Sequence, residues 1–138
     1  MDSNIVLNKV SIIERCLKRI REEYDHNPEH LKNYTKQDSI ILNLQRACEA
    51  SIDLAMHIVR VKKIGIPQVS RDAFNMLLNE NIISKSIADN LQSMVGFRNI
   101  AVHDYQQINL TILQSIIENH LQDFEGYVNE VMEILKKD

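Results

Sequence analysis

The stretch TKQDSIILNLQRACEASIDLAMHIVRVKKIGIP, Thr35–Pro67, decides the fold class. Within it Ile41, Leu44, Cys48, Ala55 and Val59 are separated by three, four, seven and four residues, which places them on one stripe of an α-helix. A strand would need alternation at every second residue, and none is present. Thr35 to Asp38 offer side chains that suit a helix N-terminus, and Gly65 and Pro67 are expected to stop the helix. A helix of this length is the natural centre of a helical bundle.

The same periodicity extends to either side. Val6, Val10, Ile13, Leu17, Ile20 and Tyr24 alternate steps of four and three on a first helix, which Pro28 is expected to end. After Pro67, Ser70 suits the cap of a short helix carrying Phe74, Leu77 and Leu78. Ser84 or Ser86 suits the cap of a fourth carrying Ile87, Leu91 and Met94. A last helix is predicted from near Asn109 to the C-terminus, with Leu110, Leu113, Ile117, Leu121, Phe124, Val128, Val131 and Leu135 on one face. The reading is an all-α antiparallel bundle of about five helices, with residues 1–138 forming one domain. The two end helices are also suited to pairing with another copy.

Composition agrees. Three glycines and two prolines in 138 residues leave few of the breakers that hairpins and long loops need, and 44% hydrophobic residues suffice for a core. Sixteen Lys and Arg against nineteen Asp and Glu give a net charge of -3, so attraction to nucleic acid requires a local basic site. Cys16 and Cys48 lie in apolar, helix-periodic stretches and read as reduced core residues. No window approaches the roughly 20 apolar residues of a membrane span, and the N-terminus lacks the pattern of a signal peptide, which points to the cytoplasm.

Chemistry concentrates in one place. Arg98, Asn99, His103, Asp104 and Tyr105 fall within eight residues, a density found nowhere else in the chain. A guanidinium holds phosphate oxygens bidentately and offsets the extra charge of a phosphodiester transition state. An imidazole, with its ordinary pKa near ~6.5, takes the proton of a ribose 2'-hydroxyl or protonates the leaving oxygen. That route needs no metal and no cofactor, and DNA, lacking the 2'-hydroxyl, is a poor substrate for it. Five residues correspond to about 140° around an ideal helix, so Arg98 and His103 converge only if the helix ends or kinks between them or a second subunit completes the site.

Gly96-Phe97-Arg98-Asn99 followed by Val102-His103-Asp104-Tyr105 resembles the Arg-x4-His-x-Tyr motif of HEPN-domain proteins, specifically the HepT toxins. Met94-Val95, the Gln37-Asp38 start of the second helix, the Leu44 to His57 stretch and the helical plan are also similar, so the likeness covers most of the chain. The resemblance implies a homodimeric bundle with two motif copies around one cleft, acting as the metal-independent endoribonuclease toxin of a type VII-like toxin–antitoxin system. It assigns phosphate binding to Arg98 and proton transfer to His103, with Asn99 and Asp104 in support. It also implies a minimal nucleotidyltransferase antitoxin that silences the toxin by transferring AMP onto Tyr105.

Other readings stand beside these. The Arg98–Tyr105 segment also suits a helix C-terminus at which Arg and His satisfy terminal carbonyls. Arg46, Glu49, Asp53, His57 and Arg60 form a polar stripe on the second helix; it is either a cleft lining, with Arg46 and Asp53 as supporting residues, or a solvated face stitched by i,i+4 pairs. His26 and His30 flank Pro28 and read as a surface loop rather than a metal site, and His120 as a core or interface residue. A non-catalytic nucleotide- or RNA-binding module and a purely structural partner of the nucleotidyltransferase are the rival functions.

Overall fold

In the computed structural model, residues 3–137 are described, and they form six α-helices and two short 3-10 turns with no strand among them. The helices are α1 (Ser3–Tyr24), α2 (Tyr34–Val61), α3 (Ser70–Asn79), α4 (Lys85–His103), α5 (Leu110–Asn119) and α6 (Leu121–Lys137). The predicted all-α bundle is therefore present, and α2 is its centre. Along α2, Ile40, Ile41, Leu44, Ala47, Cys48, Ile52, Leu54, Ala55, Ile58 and Val59 are all buried, a spread too wide for a single face. The helix accordingly packs against α1, α3 and α4, while α6 closes over α1 and α4.

The apolar stripes read from the sequence point inward as expected. Val6, Val10, Ile13, Leu17, Ile20 and Tyr24 of α1 are buried, as are Phe74 and Leu77 of α3 and Leu91 and Met94 of α4. Phe74 and Tyr127 meet edge to face, with ring centroids 5.8 Å apart, and the Tyr127 hydroxyl donates to the carbonyl of Ser51, joining α6 to α2.

Ser84 and Asn109 stand at the N-termini of α4 and α5 as the sequence suggests, but other helix ends differ from the sequence reading, because local hydrogen bonds and not the prolines terminate α1 and α2. Helix α1 stops at Tyr24, ahead of Pro28, where Asp25 and His26 take φ of 47° and 55°. Asn33, not a residue of the Thr35–Asp38 run, caps α2, its side chain accepting from the amide of Lys36. At the other end Lys63 adopts φ 54° and the amide of Ile64 donates to the carbonyl of Val59, a Schellman closure completed before Gly65 is reached. Ser70 is the first residue of α3 rather than its cap. The Asp72 carboxylate receives the amides of Gln68 and Val69 instead. At the start of α4 the carboxylate of Glu130 accepts from the Ser84 amide and hydroxyl, tying α4 to α6.

The predicted last helix is two. His120 leaves helical geometry (φ -126°, ψ -3°); its amide still reaches the carbonyl of Ile116, and the amide of Asp123 then turns back to the carbonyl of His120. The break inserts no extra residue into the apolar spacing, so Leu113, Ile117, Leu121, Phe124, Val128 and Val131 are buried across it. His120 lies at that joint, half-buried, with Nδ1 2.9 Å from the Asp123 carboxylate, and is not a core residue. His30 contacts the Tyr24 carbonyl through Nδ1, and among the described residues no cluster of three or more His, Cys, Asp or Glu is arranged to hold a metal ion. Among those residues no helix is long and apolar enough to cross a membrane.

Two outcomes follow for stability. A left-handed lysine costs roughly 1–2 kcal/mol that glycine does not, so Lys63→Gly is expected to stabilise the fold by about 1 kcal/mol after the added freedom of the unfolded chain is subtracted, read as a higher urea midpoint. Burial pushes the Cys48 thiol up to about 12, and burial reinforced by the Glu118 carboxylate pushes the Tyr24 phenol up to about 12. In the unfolded chain these groups ionise near 9.0 and 10.0, so the folded state holds more protons above that range. Stability is expected to be unaffected by these groups below pH 9 and to fall as pH rises toward 12, which denaturant titrations under reducing conditions measure.

Candidate active site

Arg98 lies on α4 one turn beyond Met94, whose carbonyl receives the Cys48 thiol of α2 at 3.7 Å. This buried contact sets the depth of α4 against α2 and brings the guanidinium close enough for its charge to oppose the burial-driven rise in the Cys48 pKa. The Nε of Arg98 donates to the Asn99 side-chain oxygen at 3.0 Å. That bond orients the guanidinium plane and leaves its terminal nitrogens without a partner among the described residues, available to an anion. Asn99 thus contacts Arg98 and makes no hydrogen bond to His103 among the described residues.

His103 is the last residue of α4 and is exposed. The helix keeps α-geometry up to it, since the amide of Asp104 donates to the carbonyl of Ile100 at 2.8 Å. Neither an end nor a kink intervenes between Arg98 and His103. Within one chain the two side chains therefore point about 140° apart and are offset along the axis by about 7.5 Å. Asp104 caps the helix with φ -151° and ψ 57°, and its carbonyl accepts from the amide of Gln107 to start the turn Tyr105–Gln107. The change of direction sends Tyr105 back toward α2, where its hydroxyl donates to a carboxylate oxygen of Asp38. Burial, and then the Asp38 hydrogen bond and charge, push the Tyr105 phenol up to about 12.

The α2 stripe divides. Asp53 pairs with Lys9 of α1 at 3.1 Å, and Arg46, two turns earlier on the same side of α2, is exposed. His57 is buried, with Nδ1 3.1 Å from the Arg60 guanidinium. Among the described residues neither Arg46 nor Asp53 forms a hydrogen bond or ion pair with the motif, whereas Asp38, read in the sequence only as part of the helix start, does. Their separation of 67 residues hides that pairing from any local pattern.

Beside the motif, α4 and α5 border an apolar groove of about 460 Å³ that includes Met94, Phe97, Ile100, Ile112, Ile116 and His120. Ile100, Val102 and Ile112 are 42%, 47% and 55% exposed. A positively charged side chain, an imidazole and an exposed apolar surface thus occupy adjoining faces of one helix end.

Comparison with known proteins places this arrangement. The family model for HepT-like ribonucleases matches residues 13–131. The mRNA nuclease HepT of Shewanella oneidensis is 49% identical over 129 residues, covering 94% of this chain and 97% of that protein. Two solved structures superpose closely. One is a toxin–antitoxin crystal structure with AMP-PNP (TM-score 0.91, 48% identity, 94% of this chain and 98% of that one). The other is the tri-AMPylated Shewanella oneidensis HEPN toxin in complex with MNT antitoxin (TM-score 0.90, 48% identity, 96% of this chain and 99% of that one). With a helical architecture shared over nearly the full length of these proteins and a family match spanning most of its residues, the chain belongs to the HepT-like ribonuclease family.

Proposed function

We propose that this chain is a cytoplasmic endoribonuclease toxin, acting as one domain within a homodimer and silenced by a nucleotidyltransferase antitoxin that attaches AMP to Tyr105. The observation that carries the dimeric site is the unbroken helix from Arg98 to His103. A regular helix holds these groups on different faces, so a cleft that uses both draws on a second copy of the motif. The exposed Ile100, Val102 and Ile112 supply the apolar surface on which that copy docks.

In the cleft Arg98 binds the scissile phosphate and offsets the charge that develops on it. The ribose 2'-oxygen attacks phosphorus, the bond to the 5'-oxygen breaks, and His103 serves the proton transfer, without a metal. The products are a 2',3'-cyclic phosphate and a 5'-hydroxyl. Asn99 holds Arg98 in position, and Asp104 ends the helix so that His103 stays at its exposed tip. Support for this chemistry comes from the S. oneidensis relative, named as an mRNA nuclease. Support for the silencing comes from the AMPylated toxin bound to its antitoxin. AMP on Tyr105 would place a phosphodiester charge and a bulky nucleoside two residues from His103, opposing RNA phosphate and filling the approach.

Incubation of the unmodified protein with cellular RNA in excess chelator is expected to give fragments ending in 2',3'-cyclic phosphate. His103→Ala and Arg98→Ala should each lower the rate by about 10²–10⁴-fold. Equal cleavage by wild type and His103→Ala would remove the assigned mechanism. Stoichiometric AMP on Tyr105 should abolish cleavage, and Tyr105→Phe, treated identically with antitoxin and ATP, should remain an active nuclease; mass spectrometry and gel analysis of the same samples check both.

A further inference from the structure

The chain has four tyrosines in chemically different surroundings. Tyr127 is fully buried, with its hydroxyl on a backbone carbonyl, and Tyr24 is buried against Glu118. Tyr34 is 79% exposed, and among the described residues no carboxylate accepts its hydroxyl. Tyr105 combines access with a base: it is 41% exposed, and its hydroxyl donates to Oδ1 of Asp38, itself exposed on the first turns of α2. A shallow recess of about 370 Å³, lined by Asp38, Ile41, Leu42, Gln45 and Tyr105, opens beside the hydroxyl.

We propose that Asp38 is the general base of this chain's own modification, accepting the Tyr105 proton as the first AMP is attached and playing no part in later additions. The inference rests on the reading of Tyr105 as the AMP acceptor. A phenol is almost wholly protonated at neutral pH, Tyr105 the more so with its pKa pushed up, and it is a weak nucleophile until its proton is taken. The Asp38 carboxylate already holds that proton's hydrogen bond, so the acceptor side of the reaction is assembled before the antitoxin arrives. In the step, the Tyr105 oxygen attacks the α-phosphorus of ATP. The new O–P bond forms, the bond from the α-phosphorus to the bridging oxygen of pyrophosphate breaks, and the proton passes to Asp38 and on to water. No oxidation or reduction occurs.

The product reverses the local electrostatics. The esterified tyrosine oxygen has no proton to donate, and the Asp38 carboxylate then faces a phosphodiester anion, so the hydrogen bond is replaced by repulsion. The modified side chain leaves Asp38. A second AMP accepted by a ribose hydroxyl of the first reacts several ångströms farther out, beyond this carboxylate. Asp38 therefore governs the first transfer alone.

The test is a time course with the nucleotidyltransferase antitoxin and α-labelled ATP, resolving unmodified, mono-, di- and tri-AMP protein by intact mass. Wild type, Asp38→Asn, Asp38→Glu and Tyr105→Phe are compared after thermal melts establish that each is folded. Asparagine keeps an oxygen that can accept the Tyr105 hydrogen bond but is not a base. Asp38→Asn is expected to slow the first addition by about 10²-fold while leaving the ratio of later to first products shifted toward tri-AMP, because each molecule that acquires one AMP proceeds at the wild-type pace. Asp38→Glu, with its carboxylate retained, should recover part of the rate. A first-addition rate for Asp38→Asn within about twofold of wild type would overturn the proposal, as would equal slowing of every addition, which marks lost docking. If wild type takes no AMP, or Tyr105→Phe is labelled as readily as wild type, the acceptor reading itself falls, and the role of Asp38 with it.

Discussion

Helix α2 carries apolar residues around most of its circumference, and it cannot exist in water without helices on several sides. Ala47, Ala50, Ser51 and Ala55 are buried along it, and their small side chains let neighbouring helices approach closely. Three of the surrounding helices are also tied to α2 by distinct polar contacts: α1 by the Lys9–Asp53 pair, α4 by the Cys48 thiol on the Met94 carbonyl, and α6 by the Tyr127 hydroxyl on the Ser51 carbonyl. The buried hydrogen bonds add directional constraint to an otherwise non-directional apolar core. The rotation of α4 about its axis, on which the position of Arg98 depends, follows from that constraint.

Once α4 is locked, the motif separates into two parts with different mechanical character. Arg98 and Asn99 stand on a helix whose inner face, Leu91, Met94, Val95, Phe97 and Ala101, is buried. Such groups hold their geometry against a charged substrate because moving them would disturb the core. His103, Asp104 and Tyr105 occupy the helix end and the turn after it, all exposed. On the proposed reading, a catalytic site silenced by covalent modification needs both properties. The phosphate-binding charge must be rigid, and the modified side chain must be within reach of another protein. A single helix end supplies the two within eight residues, and the Asp38–Tyr105 bond is the tie that anchors its outer part to α2.

Much of this was legible in one dimension, for identifiable reasons. Burial follows the three-and-four spacing, so the inward residues of α1, α2 and the C-terminal helices could be read directly. Helix starts at Ser84 and Asn109 could also be read, but helix stops could not. The stops at Tyr24 and Val61 are made by residues in left-handed geometry, Asp25, His26 and Lys63, whose types give no strong local signal, while the conspicuous Pro28, Gly65 and Pro67 lie downstream. The break at His120 was hidden because it preserves the spacing of apolar residues across α5 and α6. The Arg98–Tyr105 segment stood out by composition and by family likeness, but which part of α2 meets it did not. Arg46 and Asp53 shared a polar stripe with the right residue types, whereas helix rotation, set by the buried contacts, turned Asp53 toward α1 and brought Asp38 to the motif.

The chain's overall negative charge gives this division a further consequence. With a net charge of -3, the protein as a whole offers RNA no long-range attraction, and on the proposed reading the local field near Arg98 does that work. A site of few positive charges is efficient to switch. A single phosphodiester placed at Tyr105 cancels about one unit of charge beside a site that has few to spare. Before modification, the Asp38 carboxylate is partly occupied by the tyrosine proton's hydrogen bond; after it, that carboxylate loses its donor and adds its full charge to the negative field of the helix end. Both changes have the same sign. On the proposed reading the modification thus acts through the electrostatic surface of the helix end, and the acidic residue that holds the acceptor tyrosine in place adds to the repulsion once the tyrosine has reacted.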